Sequence, residues 1–80
     1  MTYFILAARD ETAAPYHVAF GDYDRATVTQ EAADLAYGRG YRRVNMKVLK
    51  ISGRATQRAV AAALAELNTA ASRAIAAQSV

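Results

Sequence analysis

The sequence predicts an α+β domain of two layers, in which a three-stranded, mainly antiparallel sheet of strand order 2-1-3 carries two helices on one face. Three observations predict this ββαβα chain: an apolar run at residues 3–8, alternating aliphatic and basic residues at 41–51, and an alanine-rich segment from residue 55 onward. Because 80 residues suffice for one hydrophobic core and not for two, we expect residues 1–80 to form a single domain.

The first two strands are predicted to form a hairpin. Residues 3–8 read Tyr-Phe-Ile-Leu-Ala-Ala, a continuous apolar run typical of a central strand, β1. Pro15 has a fixed φ angle and no main-chain N–H, which indicates a turn at residues 12–15. Residues 16–20 alternate in polarity and follow as β2. Placing β1 between the other two strands explains why it is the most apolar of the three.

The first helix, α1, is predicted after the hairpin. Asp24 and Thr27 are both candidates for its N-cap, because their side chains can accept hydrogen bonds from unpaired main-chain amides. Either Gly38 or Gly40 can supply the left-handed residue that ends it. The residues that repeat at helical spacing between these boundaries are Val28, Ala32, Leu35 and Ala36.

The third strand, β3, is predicted at residues 41–51 from a period of two. Its aliphatic side chains are expected to point toward the core and its polar side chains toward solvent. The predicted inward residues are Val44, Met46 and Val48, and the predicted outward residues are Arg43, Asn45 and Lys47. Both helices should then cover the aliphatic face and leave the other face of the sheet uncovered.

The second helix, α2, is predicted from residue 56 to about residue 78. At that length it measures ~33 Å, whereas a strand of six or seven residues spans ~20–23 Å, so its second half should project beyond the sheet. Two such projecting halves would pair in a symmetric homodimer. The residues predicted to mediate self-association are Leu64, Leu67, Ala71, Ala74 and Ile75. The alternative is that Asn68 and Thr69 weaken the helix and residues 69–80 fray.

Charge is distributed unevenly along the chain, although the net charge is only +3. Acids dominate residues 10–34 and bases dominate residues 39–58. The acids are Asp10, Glu11, Asp22, Asp24, Glu31 and Asp34, and the bases are Arg39, Arg42, Arg43, Lys47, Lys50, Arg54 and Arg58. This asymmetry predicts either a polyanionic partner or association of an acidic surface with a basic one. Alternatively, folding mixes the two sets of charges.

A basic, tyrosine-containing segment predicts nucleic-acid binding as the alternative function. Residues 39–44 read Arg-Gly-Tyr-Arg-Arg-Val and match the ribonucleoprotein signature in part. On an exposed strand, a tyrosine ring can stack on a base while neighbouring cations contact phosphates. The predicted nucleic-acid-binding residues are Arg39, Tyr41, Arg43 and Lys47. The competing interpretation is an edge strand whose cations prevent aggregation.

The sequence lacks the motifs of common catalytic and metal sites. It has one histidine, no cysteine and no phosphate-binding glycine loop, so most hydrolytic triads and zinc sites cannot be assembled from one chain. We expect no enzyme activity, cofactor, metal or small-molecule ligand. The one acid–base alternative pairs His17 with Asp22 or Asp24 and requires a deep pocket around His17.

No apolar run approaches the ~20 residues of a membrane span, and the expected location is cytoplasmic. The stretch Phe-Gly-Asp-Tyr-Asp-Arg at residues 20–25 enters a helix after a tyrosine-rich hairpin and resembles short uncharacterised proteins of bacterial and prophage genomes. The resemblance covers the first two-thirds of the chain and implies a bacterial or phage-related setting. The predicted function is a non-catalytic interaction module that self-associates.

Overall fold

The computed structural model describes residues 1–78, which form three strands, two α-helices and one 3₁₀ turn. In chain order these are β1 (Thr2–Ala8), β2 (His17–Asp22), α1 (Arg25–Gly38), the 3₁₀ turn (Arg43–Asn45), β3 (Met46–Ser52) and α2 (Gln57–Gln78). The predicted α+β class and the order ββαβα are confirmed.

The strands form one antiparallel sheet in the order β2-β1-β3, as predicted. Leu6 in the central strand is paired with Phe20 on one side and Val48 on the other. The register between β1 and β2 shifts after Leu6, where Ala19 is the extra residue of a β-bulge. Such a bulge twists an edge strand and makes it a poorer template for unwanted pairing.

Both faces of β1 are covered, which is inconsistent with the predicted uncovered face. Ile5 and Leu6 are adjacent, so their side chains point to opposite faces of the sheet. They are nevertheless 1 % and 0 % exposed, respectively. A sheet whose central strand is buried on both faces requires a cover on each.

The two helices supply those covers from opposite faces. Ala32 of α1 lines a recess with Leu6 and Val48, which are paired and therefore share one face. Leu67 of α2 lines a recess with Leu49, whose side chain points to the other face. The fold thus has three layers, and the prediction of two layers with both helices on one face was wrong. The physical reason is that β1 is apolar on both faces.

The third strand begins later than predicted, at Met46. Residues 43–45 form the 3₁₀ turn, in which Asn45 is 4 % exposed and Val44 is 59 % exposed, the reverse of the predicted orientation. Asn45 is buried because its polar groups accept hydrogen bonds from Arg9. The Arg9 main-chain N–H donates to the Asn45 carbonyl at 2.9 Å, and Nε of Arg9 donates to Oδ1 of Asn45 at 3.0 Å.

The boundaries of α1 follow from its capping residues. Asp24 is the N-cap, and its carboxylate accepts hydrogen bonds from the Ala26 amide at 3.2 Å and from the Thr27 hydroxyl at 2.7 Å. The helix ends at Gly38, and Gly40 adopts a φ of +72° that turns the chain toward β3. Thr27 therefore supports the cap instead of forming it.

The second helix continues without a break through Gln78. Asn68 does not weaken it, because its side-chain amide is used in a tertiary contact. The Tyr16 amide donates to Oδ1 of Asn68 at 2.7 Å, and Nδ2 of Asn68 donates to the Tyr16 carbonyl at 3.2 Å. The part of the predicted 69–80 tail that falls at residues 79–80 lies outside the described residues.

The second half of α2 does not stand free of the domain. Ala71 and Ile75 line a recess with Ala13, Ala14 and Pro15 in the connection between β1 and β2. The connection lies against this part of the helix. The hairpin connection thus becomes part of the layer that α2 covers.

Candidate interaction surfaces

The four predicted nucleic-acid-binding residues do not share one strand face. Arg39 is the C-cap residue of α1, and Tyr41 lies in the loop that follows. Arg43 is the first residue of the 3₁₀ turn, and only Lys47 belongs to β3. The predicted flat stacking surface is therefore not formed, because the chain turns at Gly40 and again at residues 43–45.

Tyr41 is held against the hairpin. Its hydroxyl donates to Oδ1 of Asp10 at 3.1 Å, and its ring meets the His17 ring edge-on with centroids 6.5 Å apart. The hydrogen bond to Asp10, followed by burial and the Asp10 charge, raises the pKa of Tyr41 above its ordinary value of 10.0, while Arg39 acts in the opposite direction. The ring is a structural contact between the loop and the hairpin.

Exposed arginines surround this loop. Arg39 and Arg42 line an open groove of about 420 Å³ together with Asp10, Tyr41 and Asn45. Arg43 and Lys47 line a different, smaller recess against α1, of about 180 Å³. The structure therefore does not gather the predicted basic residues at one site.

The acid–base alternative at His17 is not assembled. His17 is exposed and begins β2, whereas Asp22 ends the same strand, roughly 16 Å away at the rise of an extended chain. Asp24 is the cap of α1, and its amide donates to Oδ1 of Asp22 at 2.8 Å. The carboxylates of Asp22 and Asp24 accept hydrogen bonds at the far end of the strand. A pocket that contains His17 together with these acids is therefore not formed in the described part of the chain.

The predicted self-association stripe is partly covered by its own domain. Leu64, Leu67, Ala71 and Ile75 are half-buried, and Ala74 is exposed. Leu67, Ala71 and Ile75 line recesses against the sheet or the hairpin connection. None of the residues of α2 through Gln78 is buried. The helix therefore covers the sheet without completing a core around itself.

The molecule exposes more surface than a monomer of its mass usually does. Its accessible surface is 5599 Å², compared with about 4,700 Å² expected for 8.6 kDa. Its radius of gyration is 13.0 Å, compared with about 11.6 Å expected for a compact domain of this length. The excess of about 900 Å² is close to the area of about 800 Å² that one partner buries in a standard interface.

The two charged segments do not neutralise each other within the chain. In the region 1–78, no lysine or arginine nitrogen lies within 4.0 Å of a carboxylate oxygen, the distance that defines an ion pair. The contact between the segments at Tyr41 and Asp10 is a hydrogen bond from a neutral hydroxyl. The alternative that folding pairs the two sets of charges is therefore not realised among these residues.

A buried polar cluster was not predicted from the sequence. Arg9 is 8 % exposed, donates to Asn45, and stacks its guanidinium 4.6 Å from the centre of the Tyr16 ring. Tyr16 is in turn bound by Asn68. Two signals could have revealed the cluster: an arginine directly after a strand that is apolar on both faces, and an asparagine within the apolar stripe of a helix.

Helices able to cross a bilayer are absent from residues 1–78, since none of them is both long and apolar enough. Comparison of the chain with protein-family models, curated proteins and solved structures finds no match. The resemblance of residues 20–25 to short bacterial and prophage proteins therefore stays a prediction.

Proposed function

We propose that this chain is a non-catalytic interaction module of the cytoplasm, bacterial or phage-related, that self-associates as a homodimer. The observation that carries the proposal is the state of α2, a helix of 22 residues in which no residue is buried through Gln78. A helix normally buries one apolar stripe, and in this protein the stripe is only half-covered. A second copy would complete its burial.

Surface area and charge support the same proposal. The excess surface matches the share of one protomer in a standard interface. The acidic residues of α1 and the basic residues around β3 remain without ion pairs in the described chain, so they are available to a second copy. Charges of this kind set orientation and association rate more than affinity, which predicts that salt weakens the dimer.

Sedimentation equilibrium over a range from low to high micromolar concentration tests the proposal. The expected result is a monomer–dimer equilibrium that shifts toward monomer in high salt. A protein that stays monomeric at high micromolar concentration would count against self-association.

A charge placed on α2 gives a sharper test. Ala74→Glu introduces an acid at an exposed position of the predicted stripe and should weaken dimerisation about tenfold or more. Ala62→Glu is the matched control, because Ala62 is also exposed on α2 but lies about 120° around the helix axis from Ala74. Equal dimerisation constants for the two variants would place the interface elsewhere and contradict the role of the stripe.

Nucleic-acid binding is the second candidate function. One observation favours it: Arg39, Arg42 and Arg43 are all exposed and close in sequence, and no carboxylate lies within ion-pair distance of any of them. These arginines would contact phosphates. Base stacking is not expected, since Tyr41 is hydrogen-bonded to Asp10 and is not free to stack.

Titration with short single- and double-stranded oligonucleotides separates this candidate from the first. Binding should weaken steeply with salt, and Arg42→Gln should reduce affinity about equally for all sequences, by roughly tenfold at low salt. Arg73→Gln, which removes an exposed arginine from α2, is the control. Binding that is insensitive to salt, or equal loss in both variants, would exclude a specific role for the loop.

A further inference from the structure

Arg9 is a buried cation whose hydrogen-bonding capacity is mostly unused by the protein. The residue is 8 % exposed, and its side-chain hydrogen bond uses only Nε, which donates to Asn45. The Tyr16 ring contacts the guanidinium face. A guanidinium has five N–H donors, so the donors on the two Nη atoms remain available. A buried charge in this state is costly unless a counter-charge or water reaches it.

The Nη atoms of Arg9 are not sealed in the core. Among residues 1–78, no buried side-chain nitrogen or oxygen atom lacks a hydrogen-bond partner, so unbonded donors must be accessible. Arg9 lines a cavity of about 330 Å³ that lies between the hairpin connection and the second half of α2. This volume is at the lower end of the range for small-molecule pockets, roughly 300–1,000 Å³.

The cavity has one cationic wall and one apolar wall. Arg9, Thr12 and Lys47 line it from the hairpin and β3, and α2 contributes aliphatic side chains that include Leu67 and Ala71. No aspartate or glutamate is among the described residues that line it. The cavity therefore combines two cations with aliphatic side chains and has no carboxylate. These features are complementary to an anion that also has an apolar part.

We infer that this cavity binds an organic carboxylate with an aliphatic body. The carboxylate accepts two parallel hydrogen bonds from the Arg9 guanidinium, whose plane is fixed by Asn45 and Tyr16, and lies near the Lys47 ammonium. The aliphatic body packs on Leu67 of α2. The cavity shares Leu67, Ala71, Ala74 and Ile75 with the proposed self-association stripe, so the ligand and a second copy would compete for this face.

Titration of the native protein with octanoate, followed by calorimetry and by the amide resonances of residues 9 and 47, tests the inference. Octanoate should bind saturably and at least tenfold more tightly than octan-1-ol, which has the same chain without the charge. It should also bind at least tenfold more tightly than inorganic phosphate, which has the charge without the chain. Equal affinity for octanol or for phosphate would overturn the proposed ligand class.

Two lysines of β3 provide a matched pair of variants. Lys47→Gln should weaken octanoate binding about fivefold to tenfold, whereas Lys50→Gln should leave it unchanged, because Lys47 lines this cavity and Lys50 lines a separate recess with Leu49. Arg9→Lys, which keeps the charge and loses the planar fork, should weaken binding about tenfold or more. Identical octanoate affinity for the native protein and Lys47→Gln would overturn the site even if the Arg9 variant fails to fold.

Discussion

The two helices cover opposite faces of one sheet, and they do so by different means. α1 has 14 residues and buries Val28 completely. α2 has 22 residues and, as far as Gln78, buries none. α2 adds to its half-buried aliphatic contacts a polar anchor: the amide of Asn68 pairs with the Tyr16 main chain, and Tyr16 lies on Arg9. The length of a helix therefore does not measure how firmly it is packed.

The consequence for function lies on the α2 face. An apolar contact such as that of Val28 excludes water and fills space, whereas polar contacts at a few points leave recesses between them. The cavity at Arg9 and the half-covered stripe of α2 both lie on the polar-anchored face. The face attached by hydrogen bonds is therefore the one that remains available to partners.

Removing the polar anchor of α2 should have the largest effect on stability. Asn68→Ala leaves the Tyr16 N–H and C=O without partners in a partly buried position, and we expect a loss of about 2–3 kcal/mol in the free energy of unfolding. Thr69→Ala, at the adjacent exposed position, should change it by less than about 0.5 kcal/mol. Urea unfolding measures both. Similar values for the two variants would mean that α2 is not held by this amide.

Truncation of the same residue type on each helix tests the comparison directly. Val28→Ala should cost about 2 kcal/mol because Val28 is 0 % exposed, whereas Val60→Ala on half-buried α2 should cost about 1 kcal/mol or less. Thermal or urea unfolding gives both values. A larger cost at Val60 would reverse the conclusion that α1 is the better-packed helix.

On the side of the sheet that α2 covers, a tyrosine ring packs on β2. The Tyr3 ring lies on Gly21 and meets the Tyr23 ring edge-on at 4.8 Å, so a Cβ added at Gly21 would overlap it. Gly21→Ala should therefore cost about 1 kcal/mol through displacement of this pair. Gly38→Ala, where nothing lies within 4 Å, should instead stabilise the protein by about 0.5 kcal/mol. Changes of the same sign in unfolding experiments would contradict this account.

The smallest effect is expected at Tyr41, on the loop after α1. Its folded pKa is raised, so the stability that it contributes is present below pH 10, the ordinary value of the group, and is lost as pH rises through the folded value. Relative to Tyr41→Phe, the native protein should lose stability only above pH 10. Tyr37→Phe, at a position 90 % exposed, is the control. A difference between native protein and Tyr41→Phe that does not vary with pH would exclude the hydrogen bond to Asp10 as its source.

Local sequence patterns predicted the strands and helices better than they predicted the contacts between them. The apolar run at residues 3–8 predicted a central strand, and the alanine-rich segment predicted a long helix, since both depend on neighbours in the sequence. The predicted start of β3 was wrong because the Asn45 side chain turns inward to accept a hydrogen bond from Arg9, which lies 36 positions earlier in the chain. The basic site residues were separated for the same reason: the 3₁₀ turn that places Asn45 also removes Arg43 from the strand.

The sequence by itself determined the class of the fold, the order of its elements and the absence of cysteine chemistry, because periodicity and composition are local properties of the chain. Only the tertiary structure decided that the helices lie on opposite faces and that Arg9 and Lys47 meet in one cavity against α2. Those outcomes depend on which distant groups satisfy one another's hydrogen bonds and bury one another's surface, and no single segment contains that information.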